Sequence, residues 1–216
     1  MDNRLKSALT LIQIDKKVMV KIHNLPFITI SVILICTAVT ATFYISGSTD
    51  PILFLYASES YGRSLQEIKH GQLWRLITPV FVHLDFFHWL FNMVCLWELG
   101  RILERRYRWT IFLAFIIGFA LPSNLAQYYA TGPNFGGISA VLFAMLGFIW
   151  SVGKFNPYSD LYLPNYLAVL LLVFFVLSWF GLFGQMSNVA HSVGLVCGLL
   201  TGFIFAKKYS TATKLH

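Results

Sequence analysis

Charge is what this sequence lacks most. Asp, Glu, Lys and Arg make up 12% of its 216 residues, about half the share of a soluble domain. A water-exposed surface over most of the chain is therefore excluded. Cysteine is scarce as well: Cys36, Cys95 and Cys197 lie singly inside apolar runs. An odd, scattered set excludes a disulfide framework and has no zinc spacing, so the three read as small apolar packing residues. No His-Glu-x-x-His pattern occurs, which argues against a zinc protease. The net charge of +7 does not gather into one basic stripe. The basic residues stand at the ends of apolar runs, as membrane topology places them, so nucleic acid is not the expected partner.

What is present is apolar and long. The chain is 57% hydrophobic and 17% aromatic, which defines an all-α, polytopic membrane protein with the lipid bilayer as its main solvent. Six spans are expected. The first runs from Phe27 to Ile45, longer than the apolar core of a signal peptide, although Ala38 and Ala41 offer small residues for a cleavage site. The second runs from Pro79 to Leu99, followed by a basic loop with Arg101, Glu104, Arg105, Arg106 and Arg108. The third covers Trp109 to Tyr129, the fourth Gly136 to Val152, the fifth about Tyr162 to Phe183 and the sixth Val189 to Ala206. Residues 1–25 form a short polar, basic segment in which Leu5, Leu9 and Ile12 make a weak amphipathic stripe suited to a membrane surface. The expected organisation is thus a cytoplasmic segment 1–25, a membrane domain 26–206 and a cytoplasmic tail 207–216. Gly47 to Arg75 is the longest polar connection, and a loop of that length carries function or structure of its own.

Six spans put both termini on one side. With the basic loops inside, thirteen Lys and Arg are cytoplasmic and three, Arg63, Lys69 and Arg75, are not. This asymmetry supports N-in and C-in by the positive-inside rule. The glycine-rich turn Thr131–Ala140 and the starts of the second and sixth spans then face the extracytoplasmic side. His83, His88, Asn92, Ser139 and His191 gather there, from three helices.

Polar groups inside a span normally face the bundle interior or a wet cavity. His191 is the ionisable residue of the sixth span, with Gly194 and Gly198 on the same face at i+3 and i+7. The fourth has a matching small-residue side of Gly136, Ala140, Ala144 and Gly147 beside Ser139. Two small-residue faces allow close helix approach, which would bring Ser139 within reach of His191. A serine hydroxyl becomes a competent nucleophile when a neutral imidazole accepts its proton. No Asp or Glu lies in the last three spans, so the expected unit is a dyad. Asp85 is the alternative orienter of the imidazole. The start of the fourth helix offers free N–H groups to a developing oxyanion. His88 and Asn92, at i and i+4 on one helix face, are the candidate side-chain donors. Each feature also has a plainer reading. Serine in a spanning helix often bonds back to the i−4 carbonyl. A lone histidine is often a packing residue or ligand, and His83 and His88 can simply meet the membrane interface. A metal site remains a further alternative, with His83 and His88 five apart and poorly placed for one face.

The ordered motifs Trp74-Arg75, His83-x4-His88-x3-Asn92, Gly137-x-Ser139-Ala140 and Ala190-His191-x2-Gly194-x3-Gly198 resemble those of the rhomboid intramembrane serine proteases, in their bacterial GlpG-like, minimal six-helix form. The resemblance covers about Gly71 to Ala206. It implies an intramembrane serine endopeptidase acting on the transmembrane segments of single-pass membrane proteins, in the inner (plasma) membrane with its site facing outward, and needing no cofactor or metal. By the same resemblance, Ser139 is the nucleophile and His191 the base. His88, Asn92 and the Ser139 N–H line the oxyanion hole, His83 supports it, and Trp74 and Arg75 brace the first loop. Phe91 and Phe174 take the places of a bulky pair beside a mobile fifth helix. Two departures stand out: Ala140 where many members have glycine, and Phe143 where bacterial members often stack a tyrosine on the histidine. The alternative function is an inactive rhomboid-like protein that binds transmembrane helices. A transporter is disfavoured, for want of an inverted repeat or a chain of intramembrane acids.

Overall fold

The structure is a computed structural model that describes residues 25–59, 65–184 and 186–212. The stripe of Leu5, Leu9 and Ile12, the cation Arg63 and the tail's Lys214 lie outside these residues. The described residues are helical and contain no strand. Six long helices carry the fold: α1 (Phe27–Ser46), α2 (Phe86–Arg106), α3 (Trp109–Thr131), α4 (Ser139–Phe155), α5 (Asn165–Trp179) and α6 (Asn188–Ala212). Three of them, α1, α3 and α6 over Asn188–Lys208, are long and apolar enough to cross a membrane, while α4 and α5 are apolar but shorter.

Helix α4 is the centre of the bundle. Every residue from Ser139 to Val152 except Trp150 is buried. It packs along α6 and also touches α2 and α3. Glycine makes the α4–α6 approach possible. A Cβ on Gly194 would collide with the Ala140 carbonyl, and one on Gly198 with the Ala144 carbonyl. Gly202 continues the series against the Phe148 carbonyl at 2.6 Å, and Gly147 of α4 answers with the Leu195 carbonyl at 2.8 Å. The small-residue faces thus meet as expected, with one correction. Gly136 is not on α4 but in the turn before it, where a Cβ would lie 2.6 Å from the Val82 carbonyl oxygen.

The boundaries of the second span also change. Thr78–Phe81 is a separate 3-10 turn, and α2 begins at Phe86 because the Asp85 carboxylate caps it, accepting the His88 N–H at 2.8 Å. His83 and Asp85 therefore precede the helix. At the other end α2 runs on to Arg106, so Arg101, Glu104 and Arg105 belong to its last turns and not to a loop. Glu104 has a specific task there. Its carboxylate accepts the N–H groups of Ile28 and Thr29 at 2.6 and 2.8 Å and the Thr29 hydroxyl at 2.8 Å. These are N–H groups that the first turn of α1 cannot satisfy itself. Opposite Thr29, Gly100 leaves room for the α1–α2 contact. Glu104→Ala is expected to destabilise the fold by about 2–3 kcal/mol, the scale of hydrogen bonds to a charged group, seen as a lowered unfolding midpoint. An unchanged midpoint would show that α1 docks without this cap.

The connection between α1 and α2 carries structure of its own: a 3-10 turn Asp50–Leu55, one helical turn Gln66–Lys69 and a second 3-10 turn Leu73–Leu76. Arg75 is its anchor, 1% exposed. It donates to the Leu53 and Tyr56 carbonyls at 2.9 and 3.0 Å, to Gln72 at 2.6 Å, and pairs with Glu59. Trp74 lies at the surface and donates its indole N–H to the Phe54 carbonyl at 3.1 Å. Slight burial opposes ionisation of Glu67, but hydrogen bonds from backbone N–H groups and the Ser58 hydroxyl, with Arg75 nearby, hold its carboxyl below the usual range. Its tie to the loop is therefore complete above the ordinary carboxylate pKa and is lost as the pH falls through its own lowered pKa.

Candidate active site

Ser139 is the first residue of α4, and His191 stands in the first turn of α6. Both are buried, 6% and 1% exposed. The close α4–α6 approach sets Ser139 Oγ 2.7 Å from His191 Nε2, within a hydrogen bond. The other ring nitrogen, Nδ1, has no hydrogen-bond partner among the described residues. Asp85, the alternative orienter, is engaged at the α2 cap, and Glu98 pairs with Arg101 at 2.6 Å. The imidazole is held by packing. Phe143 lies 4.9 Å from its ring centre, inclined at 48°. Two backbone N–H groups fix the turn that carries it: His191 N–H donates to the Ser187 carbonyl at 3.0 Å, and Ala190 N–H to the Gln127 side-chain carbonyl at 2.9 Å.

The glycine-rich turn brings α4 to its starting point. Gly137 has a φ of +106°, a conformation that only glycine enters readily. A Cβ there would also lie 2.7 Å from the His88 ring. Its N–H donates to the Pro79 carbonyl at 3.0 Å, folding the turn down onto the segment before α2. The first turn of α4 has no side-chain cap, so its leading N–H groups, Ser139's among them, have no helical partner. His83 supports this arrangement from below. It is 1% exposed, its Nε2 lies 3.5 Å from the Ile138 N–H, its Nδ1 is 3.3 Å from the Phe81 carbonyl, and its ring centre is 5.0 Å from that of His88.

A cavity of about 570 Å³ opens onto the pair, and His88, Gly136, Ser139 and His191 are on its wall. Asn92 is not. It is fully buried one turn along α2 from His88, and neither its Nδ2 nor its Oδ1 has a partner among the described residues. Phe91 stacks on Phe174 of α5 at 4.8 Å, and Phe174 stacks on Phe183 at 4.9 Å. Helix α5 itself buries only Leu167, Leu171 and Ser178. The sequence reading missed Gln127, whose side chain both lines the cavity and ties down the residue before His191. A polar amide in an apolar span was the available signal. Among the described residues no group of His, Cys, Asp or Glu is arranged to hold a metal ion.

These features define a multi-pass helical membrane protein with a serine–histidine pair buried beneath a polar cavity. A Rhomboid domain model matches residues 70–208, and the chain belongs to the rhomboid family. It is 33% identical over 183 residues to the rhomboid protease GlpG of Klebsiella pneumoniae subsp. pneumoniae, an alignment covering 84% of this chain and 64% of that protein. It is 37% identical over 134 residues to the GlpG proteins of Salmonella paratyphi A and Salmonella choleraesuis, covering 62% of this chain and 49% of each of them. The chain thus spans between about half and two thirds of the length of these curated relatives.

Proposed function

We propose that this protein is an intramembrane serine endopeptidase that cleaves the transmembrane segments of single-pass membrane proteins near the extracytoplasmic side. The observation that carries this reading is the Ser139 Oγ–His191 Nε2 hydrogen bond of 2.7 Å at a polar cavity. The three curated relatives are each named rhomboid protease GlpG, which supports the same activity here. All six long helices cross the inner membrane, with the termini and most Lys and Arg on the cytoplasmic side.

In the reaction His191 Nε2 accepts the Ser139 proton as Oγ attacks the scissile carbonyl carbon. The carbonyl oxygen becomes an oxyanion, held by the Ser139 N–H and by donors from His88 and Asn92. The protonated imidazole then gives its proton to the leaving amine, the C–N bond breaks and an acyl-serine remains. Water entering by the cavity loses a proton to His191 and attacks the ester carbonyl; the C–Oγ bond then breaks, His191 returns the proton to Oγ, and the carboxylic acid product leaves. With no carboxylate on Nδ1, the Phe143 face and the pinned start of α6 keep the ring in place. Helix α5 is thinly packed, and its displacement at the Phe91–Phe174 contact admits the substrate sideways.

Asn92→Ala separates this mechanism from a structural role. An unsatisfied buried amide destabilises its own fold, so its removal should leave the unfolding midpoint unchanged or raise it. Turnover should nonetheless fall about 10²–10³-fold, the range for loss of one oxyanion donor, with KM little changed. Unchanged kcat would remove Asn92 from the site. A fluorophosphonate probe tests the nucleophile: it should label the wild type at Ser139 and leave Ser139→Ala unlabelled. Wild-type protein that resists the probe would overturn the reading.

A further inference from the structure

The inward side of α5 falls at Leu167, Leu171 and Ser178, the residues that this helix buries. Phe175 continues the stripe, four residues after Leu171 and three before Ser178, so it shares their face. It is partly buried and packs against the core. Its ring meets Phe143 of α4 edge to face, with centres 5.4 Å apart and planes at 65°. Phe143 in turn lies 4.9 Å from the His191 ring. Among the described residues these are the two ring contacts that Phe143 makes. Three rings, from α5, α4 and α6, thus run in series to the imidazole. The same face of α5 reaches the start of α6 a second time. Asn188 Nδ2, three residues before His191, donates to the Ser178 carbonyl at 3.1 Å, and the Ser178 hydroxyl donates to the Phe175 carbonyl at 2.7 Å. His191 Nδ1 has no partner among the described residues, so the orientation of the imidazole depends on packing and on whatever fixes Phe143. A ring that loses the atoms on one side forfeits those contacts and gains room to turn.

We propose that Phe175 is a positioning residue for the cleavage reaction: from α5 it braces Phe143, and Phe143 keeps His191 Nε2 on the Ser139 hydroxyl. The role rests on the protease reading for the reaction, and on the ring geometry for the brace. Without the Phe175 ring, Phe143 turns into the vacated space and the imidazole follows it away from Ser139 Oγ. Phe175 is not on the cavity wall, so the loss falls on the chemical step and leaves substrate capture in place. The brace stands on the helix that the proposed mechanism displaces. It is therefore withdrawn as α5 moves out and restored on its return, which sets the base only when the bundle has closed on the substrate.

The test compares full-length wild type with Phe175→Ala, Phe175→Leu and Val176→Ala in liposomes. Two rates are read: cleavage of a spanning reporter, and labelling of Ser139 by a fluorophosphonate small enough to arrive through the cavity. Phe175→Ala should lower kcat and the labelling rate alike, each about tenfold and short of the ~10²-fold that a 1 Å misplacement costs, with KM little changed. Phe175→Leu keeps apolar bulk in place of the ring, so it should lose only about threefold, at an unfolding midpoint close to that of the wild type. Val176, 52% exposed on the same helix, is the control, and its alanine variant should match the wild type in both rates. In a Phe143→Leu background the ring that Phe175 braces is already gone, so Phe175→Ala should cost less than about twofold more. A further loss there as large as in the wild type would show a general loosening of the bundle and overturns the inference. Wild-type protein that is not labelled overturns the protease reading and the positioning role with it. Labelled wild type with equally labelled, folded Phe175 variants overturns the positioning role alone.

Discussion

Ser139→Ala is expected to abolish cleavage of a spanning reporter, with kcat/KM reduced by about 10⁴–10⁶-fold, the range found when a nucleophile that works with a base is removed. His191→Ala should lose a similar amount, and the double variant hardly more. That non-additivity is the distinguishing result. An Oγ 2.7 Å from Nε2 acts with its base as one unit, so removing either partner removes the step. Two independent contributions would instead multiply. The fold should survive in Ser139→Ala, because the hydroxyl has one partner and its hydrogen bond is worth about 1 kcal/mol net. Reporter cleavage by purified wild type and the three variants, with matched unfolding midpoints, checks this. Equal cleavage by wild type and Ser139→Ala would refute the mechanism, as would a double variant that loses the product of the single losses.

Much of this site was legible in the sequence, because it is written as periodicity. Gly194 and Gly198 share a helical face with His191, and Ala140, Ala144 and Gly147 form the complementary side. Close packing followed from residue size alone, and with it the Ser139–His191 contact. Three things escaped. The apolar run Pro79–Val82 reads as the start of the second span, whereas the Asp85 cap decides where α2 begins. Glu104 reads as loop charge from the sequence, since its partners Ile28 and Thr29 lie 76 and 75 residues away and no local pattern announces them. Gln127 is inconspicuous inside an apolar run, although its amide carbonyl fixes the turn that carries His191. Local rules report faces and sizes. Long-range polar ties depend on which helices become neighbours, and that is known only once the bundle exists.

The same faces make a prediction about stability that is steeper than any single polar contact allows. Gly198→Val should prevent folding, and Gly198→Ala should destabilise by about 1–3 kcal/mol or more, the range for forcing added volume into a packed interior. The reason is specific: a Cβ at Gly198 would overlap the Ala144 carbonyl, and backbone cannot swing aside as a flexible side chain can. Gly118 on α3 is the control. A Cβ there meets nothing within 4 Å, so Gly118→Ala should be neutral or stabilise by about 0.5–1 kcal/mol through helix propensity. The glycine series also reads out position along the α4–α6 seam. Gly194 faces Ala140, next to Ser139, whereas Gly202 faces Phe148, more than two turns further on. At comparable loss of stability, Gly194→Ala should therefore lower kcat more than Gly202→Ala, because only the former displaces the start of α4 relative to His191. Unfolding midpoints and cleavage rates for the alanine variants decide it. A Gly198→Ala protein as stable as wild type would mean that the seam can open without consequence, and the packing argument for the Ser139–His191 contact would fall with it.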